Sequence, residues 1–276
     1  MDRLGVSAEA DDFTLKGATL LLVWCGDALR STLDVDLVRS EPASANSFQS
    51  ALESICAQSC PEDGMIFPAS DIRIRRLPIE RGIAGGVLTA ALRGTIGRAV
   101  IPLRVDVGFG DLITPARQRS EYPTLLDHPT PTVWTHPREI LVAEKFHGMV
   151  RFDRQHACVK DIWDIAVLAA CFPFDGSTLR LAIDRTFRQR GTVPVHESPA
   201  TLQPSFYQSE EQQRLWSSFL AKKKVWARDP GTLAEAGDIV RRFPEPVWQS
   251  AVRDEPFDLI WPPGGPWRKR TGASSG

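Results

Sequence analysis

Three aspartates sit inside apolar runs, where an unpaired carboxylate is costly to bury. Asp34 and Asp36 fall in Leu33-Asp34-Val35-Asp36-Leu37-Val38, and Asp106 falls in Leu103-Arg104-Val105-Asp106-Val107. Alternate side chains of a β-strand share a face, so Asp34 and Asp36 project together. Two such carboxylates repel unless a positive charge lies between them. With Asp106 on a neighbouring strand they make a set of three hard oxygen ligands, the kind that Mg²⁺ or Mn²⁺ takes together with substrate phosphates. Two metals about 3.5–4 Å apart can stabilise both the attacking and the leaving oxygen in phosphoryl transfer. Upstream, Gly17 in Leu15-Lys16-Gly17-Ala18-Thr19 stands where a strand turns into a helix. The free backbone N–H groups of such a turn can receive phosphate. Taken alone, the glycine is ordinary turn geometry and the D-x-D pair a solvated sheet face. The glycine, the pair and the third acid, in that order and on those elements, point to phosphate chemistry.

The elements that must position these residues are legible in outline. Phe13 to Lys16 reads as a short strand, followed by an apolar helix from about Thr19, and the D-x-D strand lies near 33–39. A helix capped by Ser44 or Asn46 carries Phe48, Leu52, Ile55 and Cys56 at helical spacing. Strand-like runs follow at 71–77, 86–96 and 100–108, the last two joined as a hairpin. The proline-rich segment 113–137 reads as a long linking loop, which in a compact domain is uncommon and often functional. Helices are expected at about 138–151, 159–171, 177–189, 210–224 and 232–242. The fold class is therefore α+β: a mixed α/β lobe over 1–112, the loop, an all-helical lobe over 138–260 and a disordered Pro/Gly/Ser-rich tail over 261–276.

Four blocks carry a resemblance: "FTLKGATLLLVW…RSTLDVDLV", "LRVDVGFGD", "YPTLLDHPTPTVWTHPREILVAEKFHGMV" and "KDIWDI". The first two resemble the DNA-polymerase-β-type nucleotidyltransferase superfamily. All four, in order from about Phe13 to Leu168, resemble the AbiEii/AbiGii family of abortive-infection toxins. The resemblance implies an NTP-consuming enzyme of phage defence, the toxin of a type IV toxin–antitoxin pair. Asp34, Asp36 and Asp106 would bind Mg²⁺ or Mn²⁺, and Lys16, Gly17 and Ala18 would cradle the triphosphate. Lys145 would face the phosphates, and Asp161 would orient Lys145 or accept a proton from the attacking hydroxyl. A separately encoded antitoxin and an RNA acceptor, such as the tRNA 3′ end, are the implied partners. The chain departs from the family in having Ala18 where a hydroxyl residue or glycine is usual, and a long gap from there to Asp34. It also starts only a few residues before the first strand, so an N-terminal helix common in the family is expected to be missing.

Other residues admit two readings. Arg30 and Thr32 either touch phosphate or simply end the loop before the D-x-D strand. Lys160 and Asp164, four apart, could form a surface pair. His147 reads as core or rim. Arg73, Arg75 and Arg76, and Lys222 to Lys224, are solvated charge runs or, with an RNA acceptor, phosphate contacts whose binding would weaken steeply with salt. Composition is that of a globular chain, 42% apolar and 24% charged, and the formal charge of −1 excludes a globally basic nucleic-acid coat but not a local basic face. Five scattered cysteines argue against a disulfide framework, no apolar run is long enough to span a membrane, and no secretory leader is visible, so a cytoplasmic protein is expected. Two rivals remain open at this level: a non-toxic nucleotidyltransferase acting on a protein or small molecule, and a nucleotide-binding regulator without turnover.

Overall fold

The computed structural model describes residues 1–26, 32, 34–39, 44–60, 63–77, 86–110, 114–124, 128–155, 159–192, 198–222 and 231–270. The chain divides into two compact units, Met1–His136 and Pro137–Gly276.

The first unit is built on a seven-stranded mixed sheet ordered β3-β4-β5-β2-β1-β7-β6. Its strands are β1 (Phe13–Lys16), β2 (Asp34–Arg39), β3 (Arg73–Arg76), β4 (Val87–Ile96), β5 (Ala99–Phe109), β6 (Gln118–Glu121) and β7 (Thr132–Thr135). β1 and β2 run antiparallel, while β2 pairs with β5 in parallel. Alternation then sorts the side chains. Leu15, Leu37, Val107 and Leu88 line up across four strands on one face, all at most 3% exposed. Helix α3 (Ala45–Cys56) adds Phe48 and Leu52 to the same core. Each such side chain contributes about 1.5–3 kcal/mol when fully buried. Ser44 is the cap of α3, its hydroxyl accepting from the Ser47 N–H at 3.0 Å.

The apolar helix expected from about Thr19 is present: a 3₁₀ turn, Gly17–Thr19, runs into a six-residue helix α2 (Leu20–Cys25) that Gly26 closes in the left-handed region. Two other expectations for this unit change. A short helix α1 (Asp2–Val6) precedes β1. The segment 113–137 is not only a loop, because it supplies β6 and β7. β7 lies parallel to β1, and Arg117 and Arg119 pack on the Trp134 ring at 4.2 and 4.6 Å. The prolines at 115, 123, 129, 131 and 137 all fall outside these two strands, so they mark the connections, not the whole segment.

The second unit contains α4 (Arg138–Phe152), α5 (Val159–Cys171), α6 (Gly176–Gln189), α7 (Pro204–Gln208), α8 (Glu210–Lys222), α9 (Leu233–Arg242) and α10 (Pro244–Val252). α9 opens with a capping box: Thr232 Oγ1 accepts from the Glu235 N–H at 3.2 Å, and Glu235 Oε2 accepts from the Thr232 N–H at 2.7 Å. The unit is not all-helical. β8 (Phe174–Asp175), β9 (Leu259–Trp261) and β10 (Arg268–Lys269) form a small antiparallel sheet. Residues 261–270, expected to be a disordered tail, are tied down by two indoles. Trp261 donates to the Ala169 carbonyl at 2.7 Å, and Trp267 donates to the Phe243 carbonyl at 2.9 Å. Gly265, at φ +72°, lies where a Cβ would strike the Trp261 ring, so glycine here serves packing as well as the turn.

Candidate active site

The face of the large sheet opposite its core collects the acids. Cross-strand register makes one row of Lys16, Asp36, Asp106 and Thr89, and a second of Asp34, Arg104 and Ala91. The neighbours within each row are about 4.8 Å apart, the ordinary strand spacing. The sequence therefore brings Asp34, Asp36 and Asp106 to adjacent positions because β2 and β5 pair in parallel with Asp36 opposite Asp106.

The positive charge between them is Arg104. Its Nη2 lies 2.9 Å from Asp106 Oδ2 and its Nε donates to Asp106 Oδ1 at 3.0 Å, a two-point fork over one carboxylate. The same Nε lies 3.9 Å from Asp34 Oδ1 and within 3.2 Å of Thr89 Oγ1. The hydrogen bond to Asp106, followed by the charges of Asp106, Asp34 and Asp36, holds the Arg104 pKa above its usual value. Arg104 remains 49% exposed, whereas Asp106 is 17% exposed.

Gly17 closes the other side. Its φ is +71°, and a Cβ built on it would lie 2.2 Å from Asp36 Oδ2. The turn after β1 is thus pressed against the Asp36 carboxylate, an approach that any side chain would block. Ala18 follows in the same turn. Thr19 and Thr32 both donate to the Asp34 carbonyl, at 3.4 and 3.3 Å, fixing the start of β2. Arg30 lies outside the described residues.

Among the described residues, no three His, Cys, Asp or Glu side chains are gathered as a ready metal cage. The donor chemistry nonetheless fits a hard divalent cation: three carboxylates on one face of adjacent strands, two of them directly paired. Arg104 holds both oxygens of Asp106.

Within the helical unit, Lys145 of α4 meets two acids of α5. Its Nζ is 2.9 Å from Asp161 Oδ1 and 2.6 Å from Asp164 Oδ2. Lys145 and Asp161 are 11% and 18% exposed, and the Asp164 side chain is fully buried. Asp164 is therefore not the partner of the exposed Lys160 in a surface pair. Three residues after Asp161, it shares that residue's helix face and completes a buried charge cluster. The flanks of Asp164, namely Ile162, Trp163 and Ile165, were the available signal that it is buried and not part of a surface pair. His147 is 1% exposed, with Nε2 2.6 Å from Thr192 Oγ1. Burial, then the charges of Arg190 and Arg151, lowers its pKa to about 3, so it stays neutral and is no proton shuttle near pH 7.

On the mixed sheet Gly17 thus lies against Asp36, and Asp36 is paired with Asp106. The chain belongs to the nucleotidyl transferase AbiEii toxin family of type IV toxin–antitoxin systems, whose model matches residues 1–232. That membership implies an NTP substrate and a cognate antitoxin. The chain is also similar to two crystal structures from Helicobacter pylori. One is a candidate nucleotidyltransferase, at 14% identity over 93% of both chains with a TM-score of 0.48. The other is JHP933, at 14% identity over 92% of this chain and 89% of that one, also with a TM-score of 0.48. No curated protein matches the sequence. Among the described residues, no helix is long and apolar enough to cross a membrane.

Proposed function

We propose that the protein transfers a nucleotidyl group from an NTP to a hydroxyl of RNA, and that this transfer is its toxic activity in phage defence. The single observation that carries the reading is the direct pairing of Asp36 with Asp106 beneath the Gly17 turn. Asp34, Asp36 and Asp106 would hold Mg²⁺ or Mn²⁺, which when bound supplies charge neutralisation at the reacting phosphate. The backbone of Gly17 and Ala18, with Lys16 in the row of Asp36, receives the triphosphate. The acceptor hydroxyl gives its proton to water, its oxygen bonds to the α-phosphorus, and the bond from that phosphorus to the α,β-bridging oxygen breaks as pyrophosphate leaves. The chain's contribution is mostly alignment and electrostatics, since such transfers ask little covalent work of the protein.

For Lys145 the reading rests on the family resemblance. Its ion pair with Asp161 supports Asp161 as the residue that positions Lys145, rather than as the acceptor of the hydroxyl proton. RNA is favoured as acceptor by the continuation of the same sheet face. Arg75 stands beside Thr89 in the row of Asp106, and Arg73 beside Ala91 in the row of Arg104, both exposed. Ile74 between them points to the core side. A basic edge on the carboxylate face suits a phosphodiester chain.

Incubation with total RNA and each α-labelled NTP in turn, with Mg²⁺ or Mn²⁺, tests the proposal. Label on RNA, with growth arrest on induction in cells, is the expected result. Label on protein or a small molecule instead overturns the RNA acceptor, and NTP binding without pyrophosphate release overturns the enzyme.

A further inference from the structure

We infer that Arg104 is a built-in counter-cation of the acidic cluster and must leave Asp106 before a divalent cation can be bound. The inference rests on the reading of Asp34, Asp36 and Asp106 as metal ligands, and it adds a residue to which neither the family match nor the resemblance gives a role.

The geometry begins with strand alternation. Arg104 is two residues before Asp106 on β5, so both project from the same face, and its backbone register places it opposite Asp34. Three carboxylates at strand spacing would repel one another in the absence of a cation. The guanidinium relieves this by occupying both Oδ1 and Oδ2 of Asp106 while facing Asp34 at 3.9 Å. Those Asp106 oxygens carry the lone pairs a metal needs. The two cations therefore compete for the same atoms.

Arg104 is also able to leave. Almost half of its side chain is exposed, so swinging away exposes little further apolar surface and restores the hydration of the guanidinium. A guanidinium cannot be switched off by deprotonation in the working range, so a change of pH does not release it. Only a stronger competitor for the carboxylates does, and a divalent ion arriving with a polyphosphate is one. The phosphates would also offer the freed guanidinium a new bidentate partner. The consequence is a site that binds metal alone weakly and metal together with nucleotide well.

Mn²⁺ alone, titrated with the free-ion signal followed by electron paramagnetic resonance and no nucleotide present, reads this directly. Arg104→Gln is expected to tighten Mn²⁺ binding roughly tenfold, the scale of one charge-assisted fork removed. The tightening should vanish in the Asp106→Asn background. In the wild-type protein the Arg104 Nε–H should exchange faster with solvent when Mg²⁺ saturates the site, because release from Asp106 opens it to water. If Mn²⁺ binding depends on Asp36 and Asp106 but Arg104→Gln leaves it unchanged or weaker, or the exchange does not quicken, the counter-cation role is wrong while the ligand assignment stands. If neither protein binds Mn²⁺, or binding survives Asp36→Asn and Asp106→Asn, the ligand assignment falls and the inference falls with it.

Discussion

Gly17 and His147 show how differently a single position can be constrained. At Gly17 the backbone lies in the left-handed region and the Asp36 carboxylate occupies the space a Cβ would take. Gly17→Ala should cost about 1–2 kcal/mol through the backbone alone. It should also displace the Asp36 carboxylate, so nucleotidyl transfer should fall by more than the folded fraction does. Thermal melting beside label transfer checks this, and a variant with wild-type turnover contradicts the contact. His147 titrates in the opposite sense to a salt-bridged histidine. Its folded pKa of about 3 lies below the ordinary value of 6.5, so the unfolded chain takes up the proton first as pH falls. Stability is therefore complete above about pH 6.5 and declines toward pH 3, by at most about 1.4 kcal/mol per pH unit. His147→Gln should flatten that slope in urea melts between pH 7 and pH 4; an unaltered slope contradicts the buried neutral ring. The sequence marked Gly17 as a turn, because glycine between a strand and an apolar run is a local signal. It could not show the Asp36 contact, which exists only once β1 and β2 are paired.

At the scale of elements, alternation is what made the site readable and register is what stayed hidden. Apolar residues on either side of Asp34, Asp36 and Asp106 marked two strands with acids on one face, and the boundaries of β2 and β5 follow closely from that pattern. Nothing local fixes Asp36 opposite Asp106, because that depends on the parallel pairing of segments about seventy residues apart. The counter-cation was hidden for the same reason: Arg104 was visible in the run, but its meeting with Asp34 is a matter of register. β6 and β7 were obscured by prolines that in fact flank them. The α4–α5 cluster was half legible, since Lys145 and Asp161 were singled out while Asp164 was assigned to the wrong lysine. The cluster makes its own prediction. Asp164 is fully buried, so Asp164→Ala leaves Lys145 short of a partner in the interior and should destabilise the protein by about 3–5 kcal/mol. Asp161 is 18% exposed, so Asp161→Ala should cost less, about 1–3 kcal/mol, the scale of a lost hydrogen bond to a charged group. Equal losses in urea denaturation would contradict this division of roles.

At the scale of the whole chain, a formal charge of −1 means that any grip on a polyanion must be local. The first unit provides such a place, with Arg73 and Arg75 on the sheet face that carries the acids. Membership of the AbiEii family reaches through residue 232, so the part of the second unit up to that residue belongs to the family architecture. The account as a whole depends on the acids of β2 and β5 acting as one centre. The most direct test is pyrophosphate release from NTP and Mg²⁺ in the presence of total RNA by the wild-type protein and by Asp106→Asn, each first shown to be folded by its thermal transition. The account predicts steady release by the wild type and a loss of at least about 100-fold in Asp106→Asn, the scale of removing one electrostatic element of a reacting site. Release that persists undiminished in Asp106→Asn would contradict it.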